Sequence, residues 1–198
     1  MVGGYAGKIL QIDLTHRKIS KEDLDYGLAR RFLGGRGLAA YILFKERPPR
    51  IDPLSPENML LFGTGPVTGC PTPGASRIVI VTKSPETGLF LDTYAGGNFA
   101  PELKFAGYDF IIVDGRAEKP VYIWINDDLV EIRDASELWG KDCWKTESLL
   151  KEEVNDKDAK VLVIGPAGER LVKFSLVSTD YYHQCGRGGA GAVMGSKN

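Results

Sequence analysis

His183, Cys185 and Arg187 sit at alternate positions at the head of a glycine-rich stretch, HQCGRGGAGAVMGSKN (183–198). By type they offer a proton-transfer group, a thiol that is a nucleophile or a soft metal ligand, and a planar clamp for anions. Cys185 has no identifiable base partner, so a small buried or loop residue is the plainer reading of it. Arg77 closes a second glycine-rich stretch, GTGPVTGCPTPGASR (63–77). Three more follow the same pattern: LGGRGLAA (33–40), YAGGNFAPELKFAGYD (94–109) and GPAGE (165–169). Glycine tolerates positive φ and lets backbone N–H groups approach a guest. Two or three such loops converging, with Arg77 and Arg187 beside them, predict a cradle for phosphate or another polyanion. Taken singly, each cluster is also ordinary turn chemistry, and SPETG (84–88) reads as a turn alone.

Other chemistries find little support. Gly186, Gly188 and Gly191 spell G-x-G-x-x-G, but a dinucleotide fingerprint needs a strand directly before it and a helix opening inside it. Here the preceding apolar run LVKFSLVS is separated from it by Thr179 to Cys185, and the sequence stops seven residues after Gly191. There is no P-loop, no HExxH, no Ser-His-Asp order and no paired carboxylates. His16 falls in a predicted hairpin turn and reads as solvated. Glu102 and Lys104 read as decoration of one helical turn, Trp139 and Trp144 as core or partner surface. A net charge of -1 gives no excess for binding nucleic acid. Cys70, Cys143 and Cys185 are dispersed and odd in number, which excludes a disulfide framework and fits a reducing cytoplasm. The first residues, MVGGYAGKILQIDL, lack the pattern of a secretory leader, and no apolar run approaches the length of a membrane helix.

The positioning elements follow from period and punctuation. KILQIDLTHRKISKED predicts a hairpin turning at Thr15-His16-Arg17. Leu28 and Phe32, a Gly34-Gly35 break, then Leu38, Tyr41 and Ile42 predict two helices. RPPRIDPLSPEN is an extended connection. MLLFGTG is a buried strand; SRIVIVTKSP and GLFLDTY pair across SPETG. DFIIVDG is another strand, and PVYIWIN turns into LVEIRD. DCWKTESLLKEEV is a helix with Trp144, Leu149 and Val154 as its apolar face. AKVLVIGP and RLVKFSLVS complete nine or ten strands against four helices. The expected class is α+β, a mostly antiparallel sheet in one domain spanning 1–198.

Several motifs occur together and in order: DPLSPEN, GPVTG, VTKSP, GGNFAPELKFAGYD, EKPVYIWI, EIRDAS, WGK, IGPAGE and GRGGAGAVMGSKN. In this combination the chain, over nearly its whole length, resembles the N-terminal domain of the aldehyde:ferredoxin oxidoreductase family, the tungsten- or molybdenum-pterin enzymes. The resemblance implies a mostly β platform on which two pterins rest. It implies a metal held by their dithiolenes, a magnesium ion between their phosphates, and a 4Fe-4S cluster ligated by later helical domains, outside this chain. It implies oxidation of a small aldehyde to a carboxylic acid with ferredoxin as acceptor, by an enzyme that forms homo-oligomers. Carried over by position, Arg77 contacts pterin, as do Tyr94, Ala95, Gly96 and Gly97 by backbone. His183, Gln184, Cys185, Gly186 and Arg187 reach the phosphates, with Tyr94 and Gln184 offering backbone oxygen to magnesium. Two departures stand out: a relative in the family has asparagine where this chain has Tyr94, and arginine-alanine where it has His183-Gln184. The chain alone is expected to be inactive. A non-catalytic scaffold that kept the platform, and a free-standing phosphate binder, are the alternatives.

Overall fold

The computed structural model describes residues 3–198; the expected span from 1 begins with Met1 and Val2, which lie outside the described residues. Alternating apolar residues build a six-stranded sheet from β1 (Lys8–Asp13), β2 (Lys18–Asp23), β3 (Leu60–Gly63), β4 (Ile78–Lys83), β5 (Phe90–Ala95) and β6 (Phe110–Asp114). Its order is β2-β1-β6-β3-β4-β5, antiparallel except for the β1–β6 pair. The class is therefore α+β and mostly antiparallel, as the hairpin-rich pattern predicts. A three-stranded sheet comprises β9 (Leu162–Val163), β10 (Val177–Thr179) and β11 (His183–Cys185), and β7 (Val121–Asn126) pairs with β8 (Leu129–Asp134).

The central strands β3, β4 and β6 are apolar at nearly every position, and both faces of the sheet are covered. On one face Val79, Val81, Phe110 and Ile112 pack against Leu38, Ala39, Ile42 and Leu43 of α2 (Gly35–Glu46) and Ala29 of α1 (Tyr26–Phe32). On the other, Ile78, Ile80, Ile111 and Val113 meet Leu103 of α3 (Phe99–Phe105), Val177, Cys185, and Ala190 and Val193 of α6 (Ala190–Gly195). The break between α1 and α2 is a cap: Leu33 adopts φ 62 and closes α1 onto Ala29 O, and Gly34 takes φ 109.

Four expectations need correction. Among the described residues there are eleven strands and six helices, because short pieces of sheet and helix carry too little periodicity to read. RLVKFSLVS is a strand only from Val177; Leu171 stands at φ 57 and Phe174 is exposed. In α4 (Cys143–Glu153) the buried face is Thr146, Glu147 and Leu150, while Trp144 is exposed and packs edge-on to Tyr182. Glu147 is carried inward because it pairs with Lys151 at 2.8 Å and accepts the Tyr181 N–H at 3.0 Å. Lys104 is no decoration: its ammonium meets the buried Asp109 carboxylate at 2.6 Å.

The glycine-rich end of the chain is packed. In α6, Ala190, Gly191, Ala192, Val193 and Gly195 are buried. Gly195 lies against the backbone of Gly168 in α5 (Pro166–Glu169), where a Cβ would fall well inside contact distance of the Gly168 carbonyl. Gly195→Ala should therefore destabilise the chain by roughly 2–4 kcal/mol through overpacking that only backbone movement relieves, measured by urea unfolding. Lys197 is 2% exposed, its ammonium donating to Gly115 O at 3.1 Å and Pro56 O at 3.3 Å. Burial pushes its pKa down to about 8 from 10.5. Below pH 8 both folded and unfolded chains hold the proton, and the fold bears the whole burden of a buried ammonium. Between about 8 and 10.5 the unfolded chain binds more protons, so stability rises with pH and levels off above. Relative to Lys197→Met, the native chain should gain about 3 kcal/mol across that window, read from urea unfolding at several pH values.

Candidate cofactor-binding edge

The site residues gather where two sheet edges meet. Ser84 N–H donates to Leu89 O at 2.8 Å, and the ladder runs in register from Lys83↔Phe90 to Ile78↔Ala95. That alternation turns the peptide groups of Leu91, Thr93 and Ala95 toward β4, and those of Asp92 and Tyr94 outward along the free edge of β5. One step past the ladder, Arg77 faces Gly96. Thus the carbonyl and N–H of Tyr94, the Gly96-Gly97 turn and the exposed Arg77 side chain lie within one patch.

β11, the edge of its own sheet, lies against this patch. Thr93 Oγ1 donates to Gly186 O at 3.3 Å, and Asn98 N–H donates to Asp180 Oδ2 at 2.5 Å. A Cβ on Gly96 would come within 3.5 Å of His183 Nδ1, and one on Gly97 would collide with Asp180 Oδ2. Gly97 also stands at φ +88, so both its space and its backbone require glycine. Further along, Gly188 fits over Leu91, and its carbonyl accepts from Ser84 Oγ at 2.7 Å. SPETG is therefore more than a turn, since its first residue ties the β4–β5 hairpin to the glycine-rich segment.

The structure thus brings Tyr94, Ala95, Gly96, Gly97, His183, Gln184, Cys185, Gly186 and Arg187 to one edge, with Arg77 beside them. His183, Gln184, Gly186 and Arg187 are exposed; Ala95 and Cys185 are buried. Cys185 points into the core, and burial lifts its thiol to about 12, so it offers a ligand its backbone and no thiolate. Among the described residues neither Arg77 nor Arg187 has an ion-pair partner, leaving two guanidinium forks free for an anion. No group of three or more His, Cys, Asp or Glu side chains converges among the described residues as a metal site.

The register partner of Tyr94, Val79, belongs to the α2-facing core, and the phenol lies on that face. There it donates to Asp92 Oδ2 at 2.7 Å, and the same oxygen is 3.5 Å from Arg36. Burial first, then this bond to Asp92, raise the Tyr94 pKa to about 12, so the phenol stays protonated. Its peptide group is left on the open edge. Arg36, Asp92, Asp180 and Ser84 are the participants that sequence reasoning missed. Only LGGRG carried a signal, a glycine cluster with an arginine inside it.

The GxGxxG segment does have a strand, β11, directly before it and a helix, α6, opening within it. The ground for setting it aside changes accordingly: β11 is the antiparallel edge of a three-stranded sheet and feeds no parallel βαβ unit.

Fold and edge together define a platform whose open edge displays backbone groups beside two arginines. The chain belongs to the family described as aldehyde ferredoxin oxidoreductase, N-terminal domain, whose model matches residues 9–198. It is 53% identical to a tungsten-containing aldehyde ferredoxin oxidoreductase of Pyrococcus horikoshii, over 98% of this chain and 32% of that protein. It is 42% identical, over 98% of its length and 33% of the relative's, to the WOR-like subunit of an aliphatic sulfonate oxidoreductase of Pyrococcus furiosus. Among solved structures, the active-site complex BamBC of benzoyl coenzyme A reductase with 1,5-dienoyl-CoA superposes with a TM-score of 0.97 at 43% identity. That match covers all of this chain and 30% of the other. The chain spans about a third of the length of the curated relatives it matches. Among the described residues no helix is long and apolar enough to cross a membrane.

Proposed function

We propose that this edge holds the phosphates of a bis-pterin tungsten cofactor in a longer oxidoreductase polypeptide, molybdenum being the alternative metal. The observation that carries the reading is the open β5 edge beside Gly96-Gly97, flanked by two guanidinium groups that have no ion-pair partner among the described residues. Arg77 and Arg187 clamp phosphate oxygens through charge-assisted hydrogen bonds. The backbone of Tyr94–Gly97 and of His183–Gly186 lines the groove, and the carbonyls of Tyr94 and Gln184 would offer hard oxygen ligands to a magnesium ion. Because Tyr94 turns its phenol toward Asp92, exchanging asparagine for tyrosine there leaves that carbonyl available.

When bound, such a cofactor supplies the two-electron chemistry that takes an aldehyde to a carboxylic acid. This chain's part is to bind and orient it. Residues beyond the platform supply the substrate pocket, the 4Fe-4S ligands and the contact with ferredoxin; Cys70, Cys143 and Cys185 are too dispersed to hold a cluster. The working enzyme is a cytoplasmic homo-oligomer, and residues 1–198 alone are inactive.

The test is anaerobic purification of the full-length polypeptide from cells supplied with tungstate. Tungsten and molybdenum are quantified by mass spectrometry, pterin by fluorescence after oxidation, and activity by aldehyde-dependent reduction of a viologen dye. The expected result is two pterins per metal and turnover with an aldehyde. A folded full-length protein carrying neither metal nor pterin refutes the proposal.

A further inference from the structure

Between β10 and β11 the chain reverses through Asp180, Tyr181 and Tyr182. Asp180 stands at φ 47 and Tyr181 at φ 60, two successive residues in the left-handed region. Aspartate tolerates that region; an aromatic residue seldom enters it, because its Cβ crowds the neighbouring carbonyl. Glycine meets the same backbone demand without that cost, and this chain uses it so at Gly188 and Gly189, a few residues on. A tyrosine kept at 181 therefore needs something that holds it there.

One ion pair of α4 does so. Glu147 is fully buried; its Oε2 accepts the Tyr181 N–H at 3.0 Å, and its Oε1 pairs with Lys151 at 2.8 Å. The Lys151 ammonium lies 4.5 Å from the centre of the Tyr181 ring, and the Trp144 ring stands 5.2 Å from that ring, centre to centre. Backbone and ring of Tyr181 are thus gripped by one helix. Asp180 ties the same reversal to the candidate cofactor edge. Its Oδ2 accepts the Asn98 N–H at 2.5 Å and sits where a Cβ on Gly97 would fall.

We infer that Glu147 is a positioning residue for the cofactor edge, acting through the left-handed Asp180–Tyr181 reversal. β11 begins two residues after Tyr181, so the reversal sets how the backbone of His183–Gly186 faces Gly96-Gly97. Asp180 fixes one lip of the groove against the other, and Glu147 with Lys151 fixes the reversal against α4. Glu147 is buried and touches no bound group itself. The inference rests on the reading of this edge as the cofactor's seat, and adds the element that keeps the seat in shape. A site whose supporting residues are slack by about an ångström loses much of its function. Residues that orient a site from behind contribute on the order of 10–100-fold to what it retains.

The test compares the full-length polypeptide with three variants: Glu147→Ala, Glu147→Gln, and Glu147→Ala combined with Tyr181→Gly. Tungsten and pterin are counted per folded protein, urea unfolding reads stability, and amide exchange is followed at Tyr181 in metal-free protein. Glu147→Ala should strip the Tyr181 amide of its protection and lower cofactor retention on the order of 10–100-fold. Glu147→Gln keeps an acceptor for that N–H and should retain more than alanine does. Adding Tyr181→Gly relaxes the left-handed backbone, so stability should recover while retention stays low. Retention that recovers together with stability overturns the inference, because Glu147 then serves the fold alone. Full retention in a folded Glu147→Ala protein overturns it too. If the single alanine variant does not fold, the double variant decides: low retention supports the inference and unchanged retention overturns it. An unsubstituted protein without pterin refutes the reading of the edge and this inference with it. A loaded unsubstituted protein beside an equally loaded alanine variant refutes this inference alone.

Discussion

Arg77→Ala combined with Arg187→Ala is expected to yield a folded full-length protein that retains almost no pterin or tungsten. Each guanidinium that binds phosphate contributes about 1.5–3 kcal/mol through charge-assisted hydrogen bonds. Losing both weakens retention on the order of 100-fold or more, and dye reduction falls in step. The fold should be indifferent, since both side chains are exposed and neither has an ion-pair partner among the described residues. Thermal unfolding of the metal-free variant should match that of metal-free parent protein within a degree or two, the ordinary scatter of exposed substitutions. Lysine at both positions keeps the charge but loses the fork, and should recover only part of the metal content. Full metal loading in the double alanine protein would show that the arginines face something other than the cofactor.

The largest effect on stability is expected at Asp109. Its carboxylate is 1% exposed and anchors three groups: Lys104 at 2.6 Å, Gly7 N–H at 2.7 Å and Ala6 N–H at 3.1 Å. Lys104 in turn donates to Gly65 O at 3.1 Å, so one buried carboxylate ties the entry to β1, the end of α3 and the loop after β3. Asp109→Ala leaves an ammonium buried without a counter-charge and two N–H groups without acceptors. Breaking such a pair from one side costs about 3–5 kcal/mol, and the orphaned donors add to it. Urea unfolding of the 198-residue chain should show at least that loss. Lys104→Met in the same protein should restore part of it by removing the stranded charge. A loss under about 1 kcal/mol would mean that water reaches the pair and that it behaves as a surface ion pair.

Asp109 also shows why so much of the fold is readable and the site less so. It ends the motif GGNFAPELKFAGYD, and that motif is recognisable because its residues cannot be exchanged singly: Gly97 by sterics, Lys104 and Asp109 by charge. DPLSPEN is legible for the same reason, because Asn58 is buried and donates to Pro53 O, Thr82 Oγ1 and Lys83 O. Hairpins such as β1–β2, β4–β5 and β7–β8 follow from alternation and turn residues within short windows. What the sequence conceals is non-local. β9 has two residues and β11 three, too few for a period, and each exists because β10 lies beside it. Glu147 looks like solvent-facing charge until Lys151 and the Tyr181 N–H are brought to it by the fold. Arg36 and Asp92 lie far apart in sequence and meet only because α2 packs on β3 and β4, next to β5 in the sheet. The position of Tyr94 on an open edge depends on the order of strands in the sheet, which no local pattern encodes.

The central claim is that the cofactor's phosphates rest on the β5 edge and the glycine-rich segment after β11. Crystals of the full-length enzyme, with the tungsten located by anomalous scattering, address it directly. Phosphate groups are expected within about 3 Å of the Arg77 and Arg187 guanidinium nitrogens and beside the Tyr94–Gly97 backbone, with a light cation at the Tyr94 and Gln184 carbonyls. A map that places the metal and its phosphates on another face of this platform, with both arginines in solvent, contradicts it.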